Sequence, residues 1–366
     1  MGLFSRKVDL IAEARPQIMG DNFNYTNAYY LPSFSRNLAM SIPAVARCRN
    51  LIAGTIADTP LHYYKKSTGE EVGSPLWIEQ PSKSQPINVT IAWTVDSLIF
   101  YGVAYWEVTS VYAEDGRPAS FEWVANTRVA FNTDQNSQYI RTYFVDGEAR
   151  PNDGLGSIVT FQSFNEGILN YGSRLLQTAL DVQEAARVAA ATPMPTGYIK
   201  NSGADLPPSE VQGLLDAWRK ARKNRGTAYL TSTLDYTATS FSPKEMGYNE
   251  QIQNLATEIS RAMNVPAYLL SAEQNSSMTY ANVLDEKKNF YTMSLQPYYT
   301  AIEKRLSMND LTTSGHEVRF AVDDTLLRAD PLERITVLEK MISIGLITVE
   351  QAMEMEDLTP NGNMGA

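Results

Sequence analysis

The chain carries one cysteine, Cys48, in 366 residues. A lone thiol closes no internal disulfide, so burial and hydrogen bonding must hold the fold, and a reducing compartment fits that composition. It also excludes thiolate zinc and iron–sulfur centres. Flanking Arg47 and Arg49 would lower the pKa of an exposed thiol, but the spacing makes Cys48 a small core-facing residue of an early helix. Histidine is nearly as scarce: His62 and His316 are the only two. His316-Glu317-Val318-Arg319-Phe320 starts like a zinc-protease motif, lacks the second histidine, and sits in a strand pattern. No phosphate-binding G-x-x-x-x-G-K-[ST] run is present, and Gly154-Leu155-Gly156-Ser157 does not have nucleophile-elbow spacing. No apolar run approaches the roughly 18 residues of a membrane span. The opening Met1-Gly2-Leu3-Phe4-Ser5-Arg6 has neither a signal-peptide core nor the Ser/Thr that N-myristoylation favours. The expectation is a protein that is soluble and intracellular when made, with no membrane association, no metal and no cofactor.

Net basic charge is missing too. The formal charge is −10, with 43% hydrophobic and 20% charged residues, ordinary for a globular chain and wrong for a protein that coats DNA. It leaves room for one that handles DNA without gripping it, because an acidic wall repels phosphate and lets a strand slide. The length suffices for two or three packed units.

Residues 1–35 show no sustained period and read as an arm. A helix is expected from Ser41 to Ala57, with Ser41 as cap and Val45, Cys48, Ile52 and Ile56 on one face. Leu61–Lys65 reads as a strand, Ile87–Phe100 as a helix ended at Gly102, and Val103–Tyr112 as a strong strand. Further strands are expected at 121–124, 128–131 and 138–144, so this portion is α+β. From Gly167 the pattern turns helical. Ile168, Gly172, Leu175, Ala179, Val182, Ala186 and Ala189 repeat at the a/d period, and their small side chains admit a close neighbour. A compact α/β insert follows, with a strand at 197–200, a helix opened by Pro207-Pro208, and strand candidates at 227–231 and 234–239.

The organising stretch is Ser242 to Leu306. Ser242-Pro243-Lys244-Glu245 reads as a capped helix start, with Tyr248, Ile252, Leu255, Ile259 and Met263 on one face. Val265-Pro266 ends it. A polar segment, Ser271-Ala272-Glu273-Gln274-Asn275-Ser276-Ser277, separates it from a helix expected over 279–305. Pro297 inside that helix removes a backbone hydrogen bond and is expected to kink it. Such a loop between two long helices is presented to something. After it come a strand at 317–322, a helix from Asp330-Pro331 to about Ile344, and a last helix at Thr348–Met355.

Two charged groups invite chemistry. Asp323-Asp324 reads as a solvated turn, with a metal-dependent hydrolase as the alternative. Arg219, Lys220, Arg222, Lys223 and Arg225 crowd one helix end, where they complement the helix dipole or dock an acidic partner or phosphates. Nothing else reads as an enzyme.

In their order, several runs resemble the portal proteins of tailed bacteriophages, of the HK97-like type. They are Val45, Cys48, Ile52-Ala53, Ile56-Ala57 and Pro60; Gly102-Val103-Ala104-Tyr105-Trp106; Val265-Pro266-Ala267-Tyr268-Leu269-Leu270; Tyr280-Ala281-Asn282; Leu295, Pro297, Ile302, Glu303 and Leu306; and Gly345-Leu346-Ile347-Thr348-Val349-Glu350. Val103 and Val349 stand where that family commonly has Asn. The resemblance implies a portal fold with an N-terminal arm (1–35), an α/β wing (36–165, completed by a strand at 316–328), stem helices at 166–192 and 242–264, and a clip at 193–241. It further implies a tunnel loop with a kinked helix at 265–308 and a short helical crown at 329–366.

The implied function is a non-catalytic dodecameric ring at the capsid vertex, a conduit for packaging and ejection of double-stranded DNA. The implied partners are the terminase large subunit, a head–tail connector or adaptor, and the major capsid protein or scaffold. The implied location is the virion, after assembly in the host cytoplasm. Ser271, Glu273, Gln274, Asn275, Ser276 and Ser277 would then meet DNA, and Arg219, Lys220, Arg222, Lys223 and Arg225 would dock partners. Pro297 would turn its helix outward. Another ring-forming connector is a second alternative, disfavoured by the full helix–insert–helix–loop–helix series.

Overall fold

The computed structural model describes residues 34–133, 140–191, 197–223, 231–238, 247–270, 286–322 and 331–356. The chain mixes helix and sheet, as its patterning requires. Helix α1 (Arg36–Met40) precedes α2 (Pro43–Ala57), whose Val45, Cys48, Ile52, Ala53 and Ile56 are all buried. Burial of this kind stabilises by about 1.5–3 kcal/mol for each large aliphatic side chain. Ser41 is not the cap of α2. Its hydroxyl donates to the Leu38 carbonyl at 2.6 Å and closes α1. α2 instead starts after Ile42, without a side-chain cap, on the preset φ of Pro43.

Strand β1 (Leu61–Lys65) is followed by the short β2 (Glu71–Val72) and by α3 (Leu76–Glu79). Helix α4 (Ile87–Tyr101) is buried on almost every side and ends at Gly102, which is left-handed with φ 74°. A Cβ on Gly102 would lie 2.5 Å from the Asn165 carbonyl oxygen, and one on Gly167 would lie 2.4 Å from that of Phe100. The two glycines therefore let two chain segments cross in backbone contact.

β3 (Val103–Val111) is the centre of a three-stranded antiparallel sheet, with β4 (Pro118–Val124) on one side and β8 (Ile158–Gln162) on the other. A second small sheet joins β5 (Val129–Thr133), β6 (Ile140–Val145) and β7 (Glu148–Ala149). β11 (His316–Phe320) returns from the far end of the chain to pair antiparallel with β1, setting Tyr63 opposite Val318. Ala321 and Val322 are not in strand, and the rest of the expected strand, 323–328, lies outside the described residues.

The main core lies where these sheets meet α2 and α4. Trp106 packs on Phe121 and Phe161 at centroid distances of 5.4 and 4.7 Å, and its indole N–H donates to Thr94 Oγ1 at 2.8 Å. One carboxylate lies in this core. Asp96 accepts from Arg36 at 2.6 and 2.8 Å and from Arg49 at 2.5 Å. Both guanidinium groups stack over Trp93, at 5.1 and 5.5 Å. A buried charge survives only with such pairing.

Candidate functional site

The helical stripe that begins at Gly167 is not one helix. α5 (Ile168–Tyr171) stops at Gly172, and α6 (Ser173–Ala191) carries on. α6 packs against α8 (Tyr248–Ala262). Burial is graded along the pair. Leu176, Ala179, Ile259 and Met263 are buried at one end, whereas Val188 and Ile252 are exposed further along. The pair thus projects from the core. α8 also starts later than its sequence implies, because Gly247 is left-handed with φ 62° and carries no side-chain cap. The Ser242-Pro243-Lys244-Glu245 signature lies outside the described residues.

Between α6 and α8 in sequence sits the insert: β9 (Gly197–Asn201), α7 (Pro208–Lys223) and β10 (Leu234–Ala238), with β9 and β10 paired antiparallel. Trp218 meets Tyr236 at 5.1 Å, yet no residue of this unit whose burial is described is buried. Arg219 and Lys220 are exposed on α7, and Arg219 pairs with Asp216 at 3.1 Å. Arg222 and Lys223 belong to the last turn of α7. Arg225 and residues 227–230 of the strand expected at 227–231 lie outside the described residues, and Thr231 is not in strand.

α8 ends before Val265-Pro266 acts. Asn264 takes the left-handed conformation, φ 53°, and the Val265 N–H reaches back to the Ser260 carbonyl at 2.9 Å. This is a helix stop with asparagine in the position glycine usually holds. The amide of Asn264 then donates to the Met293 carbonyl. A 3₁₀ turn follows at Ala267–Leu269, where Arg47 Nε donates to the Leu269 carbonyl at 3.2 Å. Tyr171 Oη donates to the Ala262 carbonyl at 2.8 Å. Ser271, Glu273, Gln274, Asn275, Ser276 and Ser277 lie outside the described residues, as do Asp323 and Asp324.

The exit side resumes with α9, described over 286–290, and a π turn at Tyr291–Leu295. α10 (Gln296–Leu306) follows, with Pro297 in its first turn. The Gln296 N–H bonds to the Tyr291 carbonyl, so the backbone ladder widens immediately before the residue that has no N–H. The interruption expected at Pro297 takes this form. α10 is then fixed to the core. Tyr299 Oη and Thr59 Oγ1 lie 2.7 Å apart, Arg305 Nε donates to the Thr160 carbonyl at 3.1 Å, and Glu303 accepts from the Phe320 N–H at 2.8 Å. Burial pushes the Tyr299 hydroxyl up to about 12 and raises the Glu303 carboxyl above its usual range.

Elsewhere the chemistry is muted. Burial pushes the Cys48 thiol up to about 12, which fits a packing role. His316 stacks on Tyr63 at 5.0 Å, and His62 lies 2.6 Å from Glu71. Among the described residues no group of three or more His, Cys, Asp or Glu side chains is placed to hold a metal ion. None of the described helices is long and apolar enough to cross a membrane. Asn264, Met293 and Arg47, which fasten the ends of 271–285, were not singled out from sequence. The available signal was an asparagine at a helix end just before Val-Pro.

Comparison with known proteins bears on this arrangement. The family model described as phage portal protein matches residues 43–357. The probable portal protein of Streptomyces phage phiC31 is 22% identical over 351 residues, covering 88% of this chain and 76% of that one. The crystal structure of an HK97 family phage portal protein from Corynebacterium diphtheriae superimposes with a TM-score of 0.64 at 25% identity, covering 81% of this chain and 98% of that chain. A chain in the neck of an empty gene transfer agent particle, computed with C6 symmetry, gives a TM-score of 0.60 at 20% identity and covers 90% of this chain and 96% of that one. The model match takes in the core, the projecting helix pair and both flanks of 271–285, and the chain belongs to the phage portal protein family.

Proposed function

We propose that this chain assembles into a dodecameric ring at a capsid vertex and serves as a passive conduit for double-stranded DNA during packaging and ejection. The core with β1 and β11 would be the wing, α6 and α8 the stem, the insert at 193–241 the clip, and residues 329–366 the crown. The observation that carries this reading is the fastening of segment 271–285. It leaves the projecting helix pair at Asn264 and Leu269 and re-enters at Met293, and both sides are bonded to rigid elements. A polar segment with rigid ends suits a wall that DNA passes. The polar run at 271–278 carries a single charge, Glu273, which would repel phosphate and keep friction low.

The basic end of α7, where Arg219 and Lys220 are exposed, would meet the terminase large subunit during packaging and a connector or adaptor afterwards. The wing would contact capsid protein or scaffold. The role is structural, within the virion, after assembly in the host cytoplasm. The gene transfer agent necks were computed with C6 and C12 symmetry, which supports a ring by analogy of fold. The test replaces Glu273 and Asn275 with Lys. Rings are expected to assemble while packaging slows or stalls, and normal packaging would show that the segment does not meet DNA.

A further inference from the structure

Residues 331–356 form a unit with almost no core of its own. α11 (Pro331–Ser343) and α12 (Val349–Met355) are 13 and 7 residues long, short enough that packing must stabilise them. Arg334 and Glu356 join them at 2.6 Å, but Ala352 is the only buried residue among those described there. Between the helices runs an open apolar groove of about 460 Å³, lined by Ile335, Leu338, Ile342, Val349, Ala352 and Met353.

α11 has a second apolar face. Val337, Met341 and Ile344 follow one another at helical spacing, roughly 125° around the axis from the groove residues at about 3.6 residues per turn. Val337 is 49% and Ile344 69% exposed. A helix with two separated apolar faces is built to be covered on both. The charges on the two faces are complementary. Lys340 flanks the exposed ridge, Glu339 lines the groove, and neither makes an ion pair among the described residues.

We propose that the ridge of Val337, Met341 and Ile344 in one copy seats in the groove of the next copy. Ridge and groove belong to different faces, so the contact runs head to tail and repeats around a ring instead of closing as a two-fold dimer. This inference rests on the ring proposed above and assigns one of its interfaces.

The test co-expresses two full-length single-substitution chains, Val337→Cys and Met353→Cys, and treats the purified particles with a short bis-maleimide. The native Cys48 is buried. A covalent dimer is expected from the mixed particles and none from either variant alone. Rings that form without that cross-link overturn the interface and leave the ring standing. Cross-linking within a single variant also overturns it, by showing a two-fold contact. Unmodified chains that form no ring overturn both the interface and the ring.

Discussion

The side-chain amide of Asn264 donates to the carbonyl of Met293, which lies four residues before Pro297. That carbonyl is the one an ordinary residue at 297 would bond in an α-helix, and proline has no N–H to offer. The end of α8 thus satisfies an acceptor stranded by the break before α10, across the base of segment 271–285. The same residue holds φ 53°, so it does two separable things. Asn264→Gly keeps the backbone and loses the bond, at about 1 kcal/mol. Asn264→Ala loses both and is expected to be about 1–2 kcal/mol less stable again. Urea unfolding ranks the three chains, and an Ala variant as stable as the Gly variant would contradict the backbone argument.

Asp96 gives the largest expected single effect. It is almost fully buried and accepts from both Arg36 and Arg49. Removing its charge in Asp96→Ala leaves two guanidinium groups facing a cavity, and breaking such a pair costs about 3–5 kcal/mol. The far-ultraviolet melting curve should shift down accordingly. A shift equivalent to less than about 1 kcal/mol, typical of a surface pair, would show that the network is solvated.

Glu303 makes a pH prediction. Burial raises its carboxyl in the folded chain, opposed by the bond from the Phe320 N–H. The folded state therefore holds this proton more tightly than the unfolded one. Stability from this group falls as pH rises from its unfolded value, about 4.3, through the raised folded value, and is flat above it. Glu303→Gln can still accept from Phe320 and has no proton to lose. Its stability profile should be flatter on the acid side, with neutral-pH stability equal to or above that of the parent. An unchanged slope would place the titration elsewhere.

Much of the fold is legible in the sequence where burial follows period. The face of α2, the limits of β1, the end of α4 at Gly102 and the buried end of α8 all appear as spacing or as glycine chemistry. What escapes depends on contacts between distant residues. β8 is short and follows a glycine-rich run, and it is held by pairing with β3. The a/d stripe runs through Gly172 without a sign that the helix stops there. Ser41 and Ser242 look alike as caps, but a local bond to the Leu38 carbonyl assigns Ser41 to the end of α1. At the candidate site, the polar character of 271–278 and its place after a long helix are legible. Its fastenings are not, because Arg47 reaches Leu269 across 222 residues and Asn264 reaches Met293 across 29.

The central claim is that this chain closes into a ring with an axial channel. Negative-stain imaging of the purified full-length chain, with native mass spectrometry of the same sample, tests it most directly. The account predicts closed rings with a central opening and a mass near twelve chains. A monodisperse monomer that persists at high concentration would contradict it.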